Sequence, residues 1–214
     1  AFRNTFRGEP MHRSEAVYAI PLWVNGRAIL RLASAFHEVR NPVTEAIVRR
    51  VPLCGRDDFE EAFRSAGGSL AAWSALGEAG RRERLADLGE ALSGFSGHFA
   101  SLMAEETGKA VAQAEGDIAR AVSLLRRPAA CPAAGVAVVS GAGRTLPELV
   151  EQVGSALAGG SALVVYPALA FPSIVFALAE LSGQCGFPPG TINVLYAGDD
   201  AVAGWLSDAG STAR

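Results

Sequence analysis

The sequence predicts an α/β fold: N-terminal β-hairpins and helices leading into a parallel sheet of at least three strands. Three observations carry this reading. Short apolar runs rich in Val and Ile recur at 136–139, 163–165 and 192–195, as in strands buried on both faces of a sheet. Helix-patterned segments separate them, at 146–157 and 173–184. Gly and Pro stand at the joints, in Gly159-Gly160 and in Gly186-Phe187-Pro188-Pro189-Gly190. Parallel neighbours need a crossover, and that crossover is right-handed almost without exception.

Taken in order, residues 1–13 read as a flexible arm. Residues 22–29, LWVNGRAI, predict a hairpin turning at Asn25-Gly26, a strong two-residue signal. Residues 36–39 and 46–52 read as further strands around a turn, Arg40-Asn41-Pro42-Val43-Thr44. Residues 56–76 are helical, with acidic residues in the first turn, where the helix dipole favours them. Phe59, Phe63, Ala66 and Leu70 are expected on one face of that helix, and Trp73 is expected to pack in the core. Helices follow at 81–92, 95–106 and 112–126. Residues 127–133 connect to the first sheet strand, at 135–139. Pro147 suits the first turn of the next helix. A final short helix is expected at 200–207, capped by Asp199. The whole reads as one domain over 14–214, with hairpins and helices in 14–127 and the sheet unit in 134–208.

Composition narrows the classes of function. The net charge of −3 argues against a nucleic-acid footprint, which shows as a basic face. No apolar run reaches the length of a membrane span. Half of the residues are hydrophobic, which suggests apolar surface buried against something else. Cys54, Cys131 and Cys185 are widely spaced without a CxxC, so neither a metal site nor a disulfide framework is expected. His12, His37 and His98 form no metal or triad spacing. A reducing, cytoplasmic setting fits best.

The stretch 134–172 carries a resemblance. Gly141-Ala142-Gly143-Arg144-Thr145, a helix, then ALAGGSALVVYPALAFP aligns without a gap to a known pattern: P-W-N-F-P, a helix, then A-L-A-x-G-N-x-V-V-x-K-P-S-E-x-x-P. That is the cofactor-domain core of the aldehyde dehydrogenases. GFPPGTINVL resembles the family's G-x-P-x-G-V-x-N-V, and Glu105-Glu106-Thr107-Gly108-Lys109 resembles its E-T-G-K helix end. Glu45 stands where the family's N-P-A-T-G turn has Gly. Gly210-Ser211-Thr212 is similar to the family's F-T-G-S-T turn in its last letters alone. The resemblance spans roughly 22–207 and implies a partial aldehyde dehydrogenase fold with a Rossmann-like sheet. It covers the N-terminal part of the family's pattern. The family's long association hairpin has only residues 127–133 in its place.

The resemblance also locates the chemistry. The family's nucleophilic Cys and general-base Glu belong to its second half, and none of the three cysteines here sits in a matching motif. Its oxyanion-donating Asn corresponds to Gly143, which has no side-chain amide. Its ribose-binding Lys and Glu correspond to Tyr166 and Leu169, and the Ser between them to Ala168. No catalytic residue is therefore expected, and no cofactor, although the resemblance makes NAD or NADP possible. The candidate cofactor contacts are Ser140, Gly141, Gly143 and Arg144 in the strand-to-helix turn, with Tyr166 offering one hydroxyl. That turn is neither GxGxxG nor a Walker loop. Three readings follow. One is a non-catalytic module with a structural or partner-binding role. The second is an NAD(P)-binding half that acts with a separate catalytic chain or domain. The third is a decayed or truncated enzyme with no present function. An uncovered sheet edge points to a protein partner or a homo-oligomer.

Overall fold

The computed structural model describes residues 19–30, 35–129, 135–198 and 200–205. The expected arm at 1–13, His12, Cys131, the Asp199 cap, residues 206–207 and Gly210-Ser211-Thr212 lie outside them.

The first hairpin is β1 (Leu22–Val24) and β2 (Arg27–Ile29). Asn25 and Gly26 both take positive φ, 53° and 70°, the two-residue turn whose twist matches that of paired strands. A second hairpin, β3 (Phe36–Arg40) and β4 (Ile47–Pro52), forms its own two-stranded sheet. Four helices follow: α1 (Arg56–Ala75), α2 (Gly77–Gly94), α3 (Ser96–Thr107) and α4 (Val111–Arg126). Then come β5 (Gly135–Ser140), α5 (Leu146–Gly159), β6 (Ser161–Tyr166), α6 (Pro172–Gln184) and β7 (Ile192–Val194), with a last short helix at 200–205.

The main sheet runs β2-β1-β7-β6-β5. Strands β5, β6 and β7 are parallel, as the Val-rich runs predict. The first hairpin adds what the sequence did not suggest: β1 lies antiparallel beside β7, with Trp23 opposite Val194. The sheet is therefore mixed, and the outer edge of β7 is covered from within the chain. Asn193, fully buried, fixes this join. Its side-chain oxygen accepts the Asn25 N–H at 3.0 Å, while its amide donates to the Leu163 and Gly190 carbonyls at 3.0 and 2.7 Å.

Side chains alternate across the sheet. Val165, Ile192 and Val194 face Leu149, Val150, Val175 and Leu178 of α5 and α6, around a cavity of about 20 Å3. Val136, out of phase with these, faces α1 at Gly67. Helix α1 buries Phe59, Ala62, Ala66, Ser69 and Trp73. The expected face is thus rotated slightly: Phe63 stays 38% exposed and Leu70 is half-buried. Trp73 stacks on Phe187 at 4.8 Å and donates its indole N–H to the Leu157 carbonyl at 3.1 Å. No helix among the described residues is long and apolar enough to cross a membrane.

Candidate functional site

Adjacent parallel strands deliver Ser140 and Tyr166, paired in register, to the same end of the sheet. The backbone there is drawn tight. The Gly141 N–H donates to the Tyr166 carbonyl at 2.6 Å, and a Cβ on Gly141 would lie 2.6 Å from the Ala168 nitrogen. Only glycine permits this approach of the two loops. The structure thus brings Ser140, Gly141 and Tyr166 together.

The rest of the turn closes on itself. The Ser140 hydroxyl accepts the Ala142 N–H at 3.2 Å. Gly143 is exposed in the left-handed region, φ 64°. Arg144 folds back, its Nε donating to the Ser140 carbonyl at 3.0 Å, and its guanidinium lies against the Gln152 amide. The start of α5 carries a capping box. One Glu148 oxygen accepts both the backbone N–H and the hydroxyl of Thr145 at 2.8 Å. Those bonds, the backbone one foremost, hold the Glu148 carboxyl below the usual range. A carboxylate therefore already sits at the positive end of this helix.

Tyr166 is only 3% exposed, and its hydroxyl has no hydrogen-bond partner. Its ring centroid lies 6.4 Å from that of Trp205, which stacks on Phe59 at 5.8 Å. Burial raises the Tyr166 hydroxyl far above its ordinary pKa, with the nearby Cys54 thiol and Asp58 adding to the shift. Burial likewise pushes the Cys54 thiol up to about 12, with Asp58 reinforcing it, so this cysteine is a poor nucleophile at neutral pH. Leu169 is half-buried against the core. Cys185, also half-buried, is raised mainly by burial. Among the described residues no cluster of His, Cys, Asp or Glu is arranged to hold a metal ion.

Away from this end, a cleft of about 290 Å3 opens between the first hairpin and the loop before β7, lined by Trp23, Ser182, Phe187, Pro188 and Pro189.

One buried charge escaped the sequence reading. Glu106, which the sequence places only in a helix end, is 2% exposed. Ser173 of α6 donates its hydroxyl to one carboxylate oxygen and its backbone N–H to the other, the latter at 3.4 Å. Arg49 of β4 stands 3.9 Å away. Burial dominates and lifts the Glu106 carboxyl to about 7. The E-T-G-K string gives its position, but nothing local announces that α6 will cover it.

The comparisons with known proteins agree with this fold. The aldehyde dehydrogenase family model matches residues 31–137, half of the chain. A probable methylmalonate-semialdehyde/malonate-semialdehyde dehydrogenase of Aedes aegypti is 22% identical over 90% of this chain and 42% of its own length. Malonate-semialdehyde dehydrogenase 1 of Shouchella clausii is 27% identical over 86% of this chain and 42% of its own. A putative methylmalonate-semialdehyde dehydrogenase of Sinorhizobium meliloti, solved with NAD, superposes with a TM-score of 0.80 at 21% identity, over 89% of this chain and 43% of its own. The chain spans about two fifths of the length of the curated relatives it matches. On the matched half and the shared fold together, the chain belongs to the aldehyde dehydrogenase family.

Proposed function

We propose that this chain is a non-catalytic module of the aldehyde dehydrogenase fold, a pseudoenzyme that acts by binding a protein partner. The observation that carries the reading is the self-satisfied turn at the ends of β5 and β6. The family's dinucleotide needs donors, room and ribose contacts there. Here the α5 N-terminus already holds Glu148, and Arg144 is turned back onto its own turn. Tyr166 is sealed beneath Trp205. Gly143 and Leu169 bring no polar side chain to the positions that the family resemblance assigns to an amide and a carboxylate. The residues present do not fit NAD or NADP, and the roomier cleft lies beside the start of β7, whereas such folds bind nucleotides at strand C-termini.

Cys54 and Cys185 are free thiols, which supports a reducing compartment such as the cytoplasm.

Calorimetric titration with NAD and with NADP tests the reading. We expect no binding tighter than about 1 mM, or roughly 4 kcal/mol. A dissociation constant in the low micromolar range overturns it and favours a cofactor-binding half that serves a separate catalytic chain.

A further inference from the structure

The turn of the first hairpin sets an asparagine directly before a glycine. Asn25 and Gly26 are both exposed, and so are Arg27 and Ala28 of β2 beyond them. The amide carbon of an asparagine side chain lies within reach of the next residue's backbone nitrogen, and a five-membered ring closes when the two meet. Gly26 has no side chain to screen that nitrogen. The other asparagines lack this combination. Asn41 precedes Pro42, which has no N–H to react. Its side chain is also committed, to the Glu105 carbonyl and to the N–H groups of Val43 and Thr44. Asn193 is fully buried, is hydrogen-bonded through both its oxygen and its nitrogen, and precedes β-branched Val194. Asn4 lies outside the described residues and precedes Thr5, also β-branched.

What holds Asn25 is its backbone. Its N–H donates to the buried Asn193 side chain at 3.0 Å, and this bond ties the hairpin tip to β7. Beside it, Gly26 lies so close to Pro189 that a Cβ there would stand 3.3 Å from the proline ring. The pairing of β1 with β2 covers three residues a side, with Val24 opposite Arg27 immediately across the turn. So short a ribbon opens locally at small cost. The turn thus has few restraints to break before the Asn25 side chain can fold back on Gly26, and each depends on the spacing of the main chain at residue 25.

We propose that Asn25 is a site of spontaneous covalent modification, and that the change uncouples the first hairpin from β7. The Gly26 nitrogen attacks Cγ of Asn25. The N–Cγ bond forms, the Cγ–Nδ2 bond breaks, and ammonia leaves carrying the Gly26 amide proton. Water then opens the cyclic imide at either carbonyl. Opening at Cγ leaves aspartate. Opening at the main-chain carbonyl leaves isoaspartate, whose chain runs on through Cγ. Water is the one co-reactant, and nothing is oxidised or reduced. Either product adds a negative charge to the turn. Isoaspartate also adds a methylene to the main chain at the residue on which the hairpin register turns. The Val24–Arg27 pair, the bond to Asn193 and the seat of Gly26 against Pro189 then cannot all be kept. The site is independent of the partner-binding reading and acts on the join between the hairpin and the parallel strands.

The experiment ages the full chain for weeks in mildly alkaline buffer at body temperature. Peptide mass mapping locates each amide-to-acid change, a methyltransferase specific for isoaspartate reports that product, and isoelectric focusing follows the added charge. We expect one further negative charge, placed at Asn25, with isoaspartate in the same peptide. Amides of β1 should exchange about fivefold or more faster in the converted fraction than in fresh protein, the effect of losing a hydrogen bond. Asn25→Gly removes the reactive side chain while keeping the N–H and a Gly-Gly turn. It should gain no charge through the same treatment and keep its exchange pattern. An Asn25 that stays intact in the folded chain overturns the inference, whether or not it converts in urea. Conversion at Asn4 as fast as at Asn25 overturns the selection of this residue, and so does an Asn25→Gly variant that acidifies as the wild type does. Converted protein with unchanged β1 exchange overturns the uncoupling.

Discussion

Glu106 shows how a single residue can carry a pH dependence that its neighbours in sequence do not. The carboxyl is held by Ser173 and stands near Arg49, yet burial outweighs both and lifts its pKa to about 7. Between the unfolded value, near 4.5, and about 7, the folded chain binds more protons than the unfolded one. The stability contributed by this group is thus complete below the lower value and is lost as pH rises through the higher. The loss is roughly 3 kcal/mol at most. Glu106→Gln keeps the shape and an acceptor for Ser173 but cannot ionise. We expect the wild-type melting temperature to fall, relative to the variant, from about pH 5 to about pH 8. Parallel melting curves across that range would contradict the assignment. At this scale the sequence is uneven. Trp73 was legible because a large aromatic on a helical stripe belongs in a core. Glu106 was not, because its cover comes from Ser173, 67 residues later.

The second hairpin makes the same point for elements. Its turn is built by Asn41, whose side-chain oxygen accepts the N–H groups of Val43 and Thr44 at 2.9 and 3.0 Å. Asn41 also donates to the Glu105 carbonyl at 2.8 Å, which docks the turn on the end of α3. Glu45 then takes φ 59°, the conformation glycine adopts freely. The turn has kept its backbone although the residue suited to it is gone. Glu45→Gly should therefore stabilise the chain by about 0.5–1 kcal/mol, the left-handed strain removed less the entropy given to the unfolded state. Glu45→Val should destabilise it by about as much or more. Midpoints of urea unfolding, at constant slope, measure both; a Gly variant weaker than wild type would show that Glu45 is unstrained. Most helices and parallel strands were readable to within a few residues, because 3.6-residue periodicity and Gly or Pro stops are local signals. The conformation of Glu45 was not, since a motif letter had changed while the fold held its φ fixed. At the strand-end turn, Ser140, Gly141, Gly143 and Arg144 could be placed by position, but the inward turn of Tyr166 depends on Trp205 and α1.

For the molecule as a whole, the join between the first hairpin and the parallel strands rests on Asn193. The GTINVL string placed that residue on a strand. Its role was hidden, because its partners Asn25, Leu163 and Gly190 are assembled only in the folded sheet. Asn193→Leu would strand one donor and two acceptors in a buried site. We expect a loss of about 2–4 kcal/mol, seen as a lower thermal midpoint. A change within about 0.5 kcal/mol would mean that the hairpin docks without this amide. The same join sets an order in time. The hairpin leaves the ribosome before its acceptor strand, which follows 168 residues later, counted from Asn25 to Asn193. At ordinary synthesis rates that interval is on the order of ten seconds or more. Through it Leu22, Trp23 and Val24, all buried in the finished sheet, have β2 on one side but not yet β7 on the other. The nascent chain must carry a sticky, half-made ribbon through all of that interval, and it becomes safe from misassembly only when β7 emerges.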